Sequence, residues 1–129
     1  MIVRIDDQSP IPPYRQLVDQ MLALIAGRAL PVGQRLPPVR QLAADLGLAN
    51  GTVARAYRLL EEADILETRG RKGTFVARQR QDLSQEERLD VLRAKTADLI
   101  QAAATVGASE RDVKEALETA LAATPLLGS

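Results

Sequence analysis

The sequence predicts a mainly α fold with a small β-hairpin: an N-terminal winged helix-turn-helix followed by a C-terminal antiparallel helical hairpin. Three observations predict it. Between Leu36 and Leu60, two short amphipathic segments meet at a turn containing Gly47. From Ile65 to Ala77, two short extended runs flank the tip Arg69-Gly70-Arg71-Lys72-Gly73, which is three cations and two glycines. Beyond a boundary at Ser84-Gln85-Glu86-Glu87, the chain reads as two helices with apolar stripes. These divide it into a head, residues 1–78, and a tail, residues 79–129.

The head's elements follow in order. The lead-in from Met1 to Pro10 contains Ile2-Val3-Arg4-Ile5, whose alternation fits a short extended stretch. Pro12 and Pro13 suit the first turn of a helix, where a missing N–H costs little. Tyr14, Leu17, Val18, Met21, Leu22 and Ile25 then mark one apolar face to about Arg28. Pro31 to Gly33 is a loop. Pro37 and Pro38 start the second helix, which runs to Leu46 with Leu42, Ala43 and Leu46 inward. Ala43 is small where helices cross, Gly47 permits the left-handed backbone of a tight turn, and Leu48 tucks under it. The third helix runs from about Asn50, read as its N-cap, to Ala63. Val53, Ala56, Tyr57 and Leu60 face its core side at i, i+3, i+4, i+7 spacing. Ile65–Thr68 and Thr74–Ala77 are the strands of the wing.

In the tail, Ser84 and Glu87 form a capping box, and the helix they open stops at Gly107. At about 1.5 Å per residue it spans roughly 33 Å. Its stripe is Leu89, Leu92, Thr96, Leu99, Ile100, Ala103 and Val106, close to a heptad seam. Ser109 caps a second helix with Val113, Ala116, Leu117, Ala120 and Leu121 on one face, and Pro125 and Gly128 lie beyond its end.

Composition limits the function. A chain of 129 residues with 46% hydrophobic and 2% aromatic content supports an aliphatic core. It has no Cys and no His, which removes disulfides, thiol nucleophiles, the usual structural zinc and imidazole chemistry. Its only lysines are Lys72, Lys95 and Lys114, and no Gly-rich phosphate loop follows a strand. An enzyme is therefore not expected, nor a metal or a cofactor. The opening residues are no signal peptide and no apolar run reaches the roughly 18 residues of a membrane span. A cytoplasmic protein without membrane contact is the expectation. Net charge is zero, but it is unevenly placed. Residues 1–80 carry 12 Lys and Arg against 8 Asp and Glu, and residues 81–129 carry 5 against 9. A cationic head on an acidic tail fits a polyanion partner for the head alone.

That partner is double-stranded DNA. Helix-turn-helix units place their second helix in the major groove. Here that helix leaves Asn50, Gly51, Ala54, Arg55 and Arg58 outward, with no acid until Glu61. The cationic hairpin tip matches phosphate or the minor groove.

Pro12-Pro13-Tyr14-Arg15-Gln16-Leu17, Arg35-Leu36-Pro37-Pro38-Val39-Arg40-Gln41-Leu42-Ala43, Thr52-Val53-Ala54-Arg55-Ala56-Tyr57-Arg58-Leu59-Leu60-Glu61 and Gly70-Arg71-Lys72-Gly73-Thr74-Phe75-Val76 together resemble the GntR family of bacterial transcription regulators. The likeness covers about residues 10–77, in four linked motifs. It implies that Arg40, at the start of the second helix, contacts DNA, and that the basic residue at Arg55 faces it. Thr52 either supports the helix start or bonds a phosphate, and Arg58 is either a contact or a solvated helix cation. Arg69, Gly70, Arg71 and Lys72 complete the expected DNA-binding set with Asn50 and Gly51. Tyr57 is read as core. Two departures are visible. The loop before the second helix is Pro31-Val32-Gly33 where the family has Pro-Gly, and Ala49-Asn50-Gly51 offers little side chain, which leaves readout to Arg40, Arg55 and the wing.

The tail's seam of Leu89, Leu92, Leu99, Ile100, Leu117 and Leu121 is more apolar surface than a lone hairpin buries. The same hairpin of a second chain would complete a four-helix bundle on a two-fold axis, giving a homodimer suited to a palindromic operator. A two-helix tail resembles the YtrA subgroup of the family. The resemblance implies a repressor of nearby genes, often ABC transporter genes. A small-molecule effector would bind in the tail or near residues 78–88, where no polar cluster places it. The rival reading is a winged helix used for protein–protein contact alone, and the basic wing argues against it because such a wing is more often apolar or mixed.

Overall fold

The structure, a computed structural model, describes residues 2–124 and 126. Pro125 and Gly128, expected past the last helix, lie outside the described residues. The chain divides into two compact units, one ending at Arg88 and the other beginning at Leu89. No helix among the described residues is long and apolar enough to cross a membrane.

The first unit holds α1 (Pro13–Ala26), α2 (Val39–Leu46), α3 (Asn50–Glu62), β1 (Leu66–Thr68) and β2 (Thr74–Val76). Pro12 and Pro13 open α1 as expected, and α1 lays Leu17, Met21 and Ile25 against the face of α3 that buries Val53, Ala56, Tyr57 and Leu60. The elbow between α2 and α3 is a left-handed C-cap. Gly47 sits at φ 67°, and the Leu48 N–H donates to the Ala43 carbonyl at 2.9 Å. Tyr57 then ties α3 to the entry of α2, its hydroxyl donating to the Pro37 carbonyl at 2.6 Å. Leu46 and Leu48 pack partly buried against the core.

One local expectation is corrected, and two backbone pairings were not anticipated. Asn50 is not the N-cap of α3. Ala49 occupies that position in extended conformation with no side-chain cap, and Asn50 is the first helical residue. The lead-in forms no strand. Instead the Gln20 amide takes the place of a neighbouring strand: the Arg4 N–H donates to Gln20 Oε1 at 2.9 Å, and Gln20 Nε2 donates to the Arg4 carbonyl at 2.7 Å. The buried Gln16 amide serves Asp6 and Ile11 in the same way. The loop before α2 continues into strand-like pairing. Gly33 N–H donates to Val76 O at 2.7 Å, Val76 N–H to Gln34 O at 2.9 Å and Leu36 N–H to Thr74 O at 2.8 Å. These bonds make Gly33–Leu36 a third edge of the antiparallel β1–β2 sheet, bridged at Arg35 and Phe75.

Residues 79–88 pack with the head's unit. Leu83 is buried in its core, Arg78 pairs with the Glu87 carboxylate and donates to the Asp82 carbonyl at 2.9 Å, and Arg88 donates to the Leu83 carbonyl at 2.6 Å. The expected capping box is present: Glu87 N–H to Ser84 Oγ and Ser84 N–H to Glu87 Oε1, both 3.1 Å.

The second unit contains α4 (Gln85–Val106) beyond its first turn, and α5 (Glu110–Ala123). Gly107 ends α4 at φ 71°, and Ser109 and Asp112 form a second capping box opening α5. These hydrogen bonds to Ser109 hold the Asp112 carboxyl below its usual range. Packing between α4 and α5 is sparse, and neither helix buries a side chain.

Candidate nucleic-acid interface

The outward face of α3 follows from its inward one. With 53, 56, 57 and 60 in the core, helical periodicity turns Gly51, Arg55 and Arg58 to solvent on one stripe, with Ala54 half-buried among them. Asn50 is exposed at the start of that helix and Thr52 is half-buried beside it. Arg40 is exposed on the first turn of α2. The first acid on α3, Glu61, is engaged by the stem of the wing, accepting from Thr68 Oγ1 at 2.6 Å.

The wing tip is more ordered than a plain hairpin loop. Gly70–Lys72 form one 3₁₀ turn between glycines at φ 54° and 109°. Arg71 and Lys72 are exposed on it. Arg69 lies back, its guanidinium carbon 4.5 Å from the Phe75 ring centroid and one nitrogen 3.5 Å from Glu67. Gly73, at φ 109°, holds a backbone that L side chains rarely adopt, and the Arg35 guanidinium lies against it, 2.9 Å from where a Cβ would stand.

Two residues of this face escaped the sequence reading. Arg35 adds a fourth cation at the base of the wing, because the Gly33–Leu36 edge pairs with β2. Its signal was its place just before the second helix, in a segment read only as loop and motif. Tyr14 was assigned to the apolar face of α1, yet it is half-buried and carries the Arg55 guanidinium 3.7 Å above its ring centroid. That contact joins two helices far apart in sequence, and no local pattern announces it.

Each arginine presents five N–H donors in a planar cationic fork. Such an arrangement suits a polyanion and the acceptor groups of base edges. In the second unit, the predicted seam is open to solvent: Leu92 is 58% exposed, Ile100 53%, Leu117 51% and Leu121 50%, with Leu99 also exposed and Leu89 half-buried.

Comparison with known proteins agrees with this geometry. The family described as bacterial regulatory proteins, gntR family, matches residues 13–76. The HTH-type transcriptional regulator Rv1152 of Mycobacterium tuberculosis is 53% identical over 76 residues, which are 59% of this chain and 63% of that protein. The chain thus spans under two thirds of that relative's length. The HTH-type transcriptional repressor YtrA of Bacillus subtilis is 30% identical over 99 residues, 77% of this chain and 76% of the relative. Among solved structures, YtrA from Sulfolobus acidocaldarius, a GntR-family transcription factor, superposes with a TM-score of 0.57 at 27% identity, covering 96% of this chain and all of that one.

Proposed function

The chain belongs to the gntR family of bacterial regulatory proteins, and we propose that within it the protein is a YtrA-like repressor that binds a palindromic operator as a homodimer. It is a transcription regulator with a DNA-binding winged helix, and not an enzyme. The observation that carries the proposal is the outward stripe of α3, free of acids from Gly51 to Arg58, in the same compact unit as the cationic wing. In this reading α3 enters the major groove. Arg40 and Arg55 reach base edges or nearby phosphates there, and Arg69, Arg71 and Lys72 follow the backbone or the minor groove. Asn50, Gly51, Thr52 and Gly70 bring the main chain close to the duplex, and Arg58 lies at the rim.

The repressor role is supported by the likeness to the Bacillus subtilis transcriptional repressor, and homodimerisation by the uncovered apolar seam. ABC transporter genes are the first targets to test, and the cytoplasm is the proposed compartment; both rest on the family resemblance alone. No effector is assigned.

The test is selection of duplexes from a random pool followed by titration across salt. The proposal expects an enriched inverted repeat with half-sites one helical turn, about 34–36 Å, or a multiple apart. It also expects log affinity to fall linearly with log salt. No enrichment, or retention insensitive to salt, would return the winged helix to a protein-docking role.

A further inference from the structure

We propose that Tyr14 is a positioning residue for DNA recognition: its ring holds the Arg55 guanidinium extended toward the duplex before binding. The proposal rests on the reading that Arg55 reaches DNA.

The geometry supplies the mechanism. The Arg55 guanidinium carbon stands 3.7 Å over the Tyr14 ring centroid, within cation–π range. Tyr14 is placed firmly. It sits in the first turn of α1, whose next residues Leu17, Val18 and Met21 are buried, and α1 packs along α3. Arg55 is exposed on the outward stripe of α3. An arginine on an exposed helix face normally samples many rotamers, and a ligand that fixes it must overcome that entropy.

A carboxylate could restrain Arg55 equally well, but it would neutralise the charge and occupy the N–H fork. An aromatic face does neither. It contacts the planar ion over its π face and leaves the edge N–H groups for a bidentate acceptor, such as guanine O6 and N7 or a phosphate. The same chain shows the contrasting case. Arg69 lies over Phe75 but also meets Glu67 at 3.5 Å, so its charge is partly engaged. Arg55 is therefore the stacked arginine better prepared for base readout, and Tyr14, outside the helix-turn-helix itself, contributes to specificity.

The experiment uses the full chain and the duplex enriched by the unmodified protein, with a scrambled duplex beside it. Affinities are measured for Tyr14→Leu, Tyr14→Phe, Arg55→Ala, Arg55→Lys and the Tyr14→Leu/Arg55→Ala double variant, with thermal melting of each. Tyr14→Leu is expected to weaken the enriched duplex by about two- to five-fold per head, and the scrambled duplex less. Tyr14→Phe, which keeps the ring, should stay close to the unmodified protein. Arg55→Lys keeps the charge but loses the planar stack and should lose base preference. Tyr14→Leu should cost nothing further once Arg55 is Ala. In the free protein, the Arg55 δ-protons should be shifted upfield by the ring current, and Tyr14→Leu should abolish that shift.

If Arg55→Ala binds unchanged, the reading of Arg55 as a contact fails and this proposal falls with it. If Arg55→Ala weakens binding while Tyr14→Leu does not, the positioning role alone is overturned. A Tyr14→Leu loss that persists without Arg55 would make the ring a packing or direct contact. Tighter binding by Tyr14→Leu would mean that the ring withholds Arg55 from DNA.

Discussion

Arg71 and Lys72 are exposed on a 3₁₀ turn, whereas Arg55 and Arg69 lie on aromatic rings. The exposed pair should behave as simple phosphate neutralisers. Changing both to Ala is expected to weaken binding across many sequences and lower the salt slope by about one to two units, at roughly one per lost phosphate contact. An unchanged slope in a gel-shift titration would remove the wing from the interface. Arg40→Ala should instead cost about 1–3 kcal/mol on the enriched duplex and relax preference at one position, if Arg40 reads a guanine. An equal loss on scrambled DNA would assign it to phosphate. Tyr57 makes a separate prediction about stability. Its buried hydroxyl donates to Pro37, and burial pushes its pKa up to about 12. The unfolded chain releases that proton near pH 10, so the folded state holds the proton longer. Stability from this site is whole below about pH 10 and is lost as pH rises toward 12, by roughly 2–3 kcal/mol. Urea midpoints at about pH 9 and 11.5 should diverge less in Tyr57→Phe than in the unmodified chain; identical divergence would refute the assignment. At this scale the sequence told which residues were cationic and outward. It could not tell that Arg55 has a ring beneath it, because that depends on where α1 crosses α3.

Among the elements, those fixed by local chemistry were legible and those fixed by distant partners were not. Gly47, Gly107, the box Ser84–Glu87 and the Ser109 cap act locally and sit where the pattern placed them, and Asp112 completes a second box at Ser109 that the pattern did not announce. Asn50 is a good cap by type, yet the elbow after Gly47 puts the N-cap one residue earlier, at Ala49, where no side chain caps the helix. The Gly33–Leu36 edge has no strand-like pattern of its own. It is extended because β2 offers free carbonyl and N–H groups beside it. The lead-in alternates like a strand but meets glutamine amides of α1 instead of another strand. The tail helices make the strongest prediction at this scale. Leu99 lies on an α4 face that buries nothing, so Leu99→Asp should barely alter the helix yet place a charge in the proposed seam. Sedimentation should shift this variant toward monomer. If it sediments as the unmodified protein does, the seam is not the dimer interface.

For the whole molecule, charge and hydrophobicity are divided between the two units. Residues 1–80 carry 12 Lys and Arg against 8 Asp and Glu and residues 81–129 carry 5 against 9, while the first unit holds the buried core and the second an open apolar stripe. This division was readable from composition, since the charge balance reverses near residue 80. The finer division was not: residues 79–88 pack with the head through Leu83, Arg78 and Arg88, contacts that no periodicity encodes. In the proposed homodimer, the tail pairs two heads and the pairing makes the second half-site contact intramolecular. That should raise affinity by about 10²–10⁴-fold over one head. Equilibrium sedimentation of the 14.0 kDa chain with its enriched duplex tests this most directly. The account predicts a complex of two chains per duplex, reduced to one weakly held chain by Leu99→Asp. A single chain per duplex with undiminished affinity, or two chains unaffected by Leu99→Asp, would contradict it.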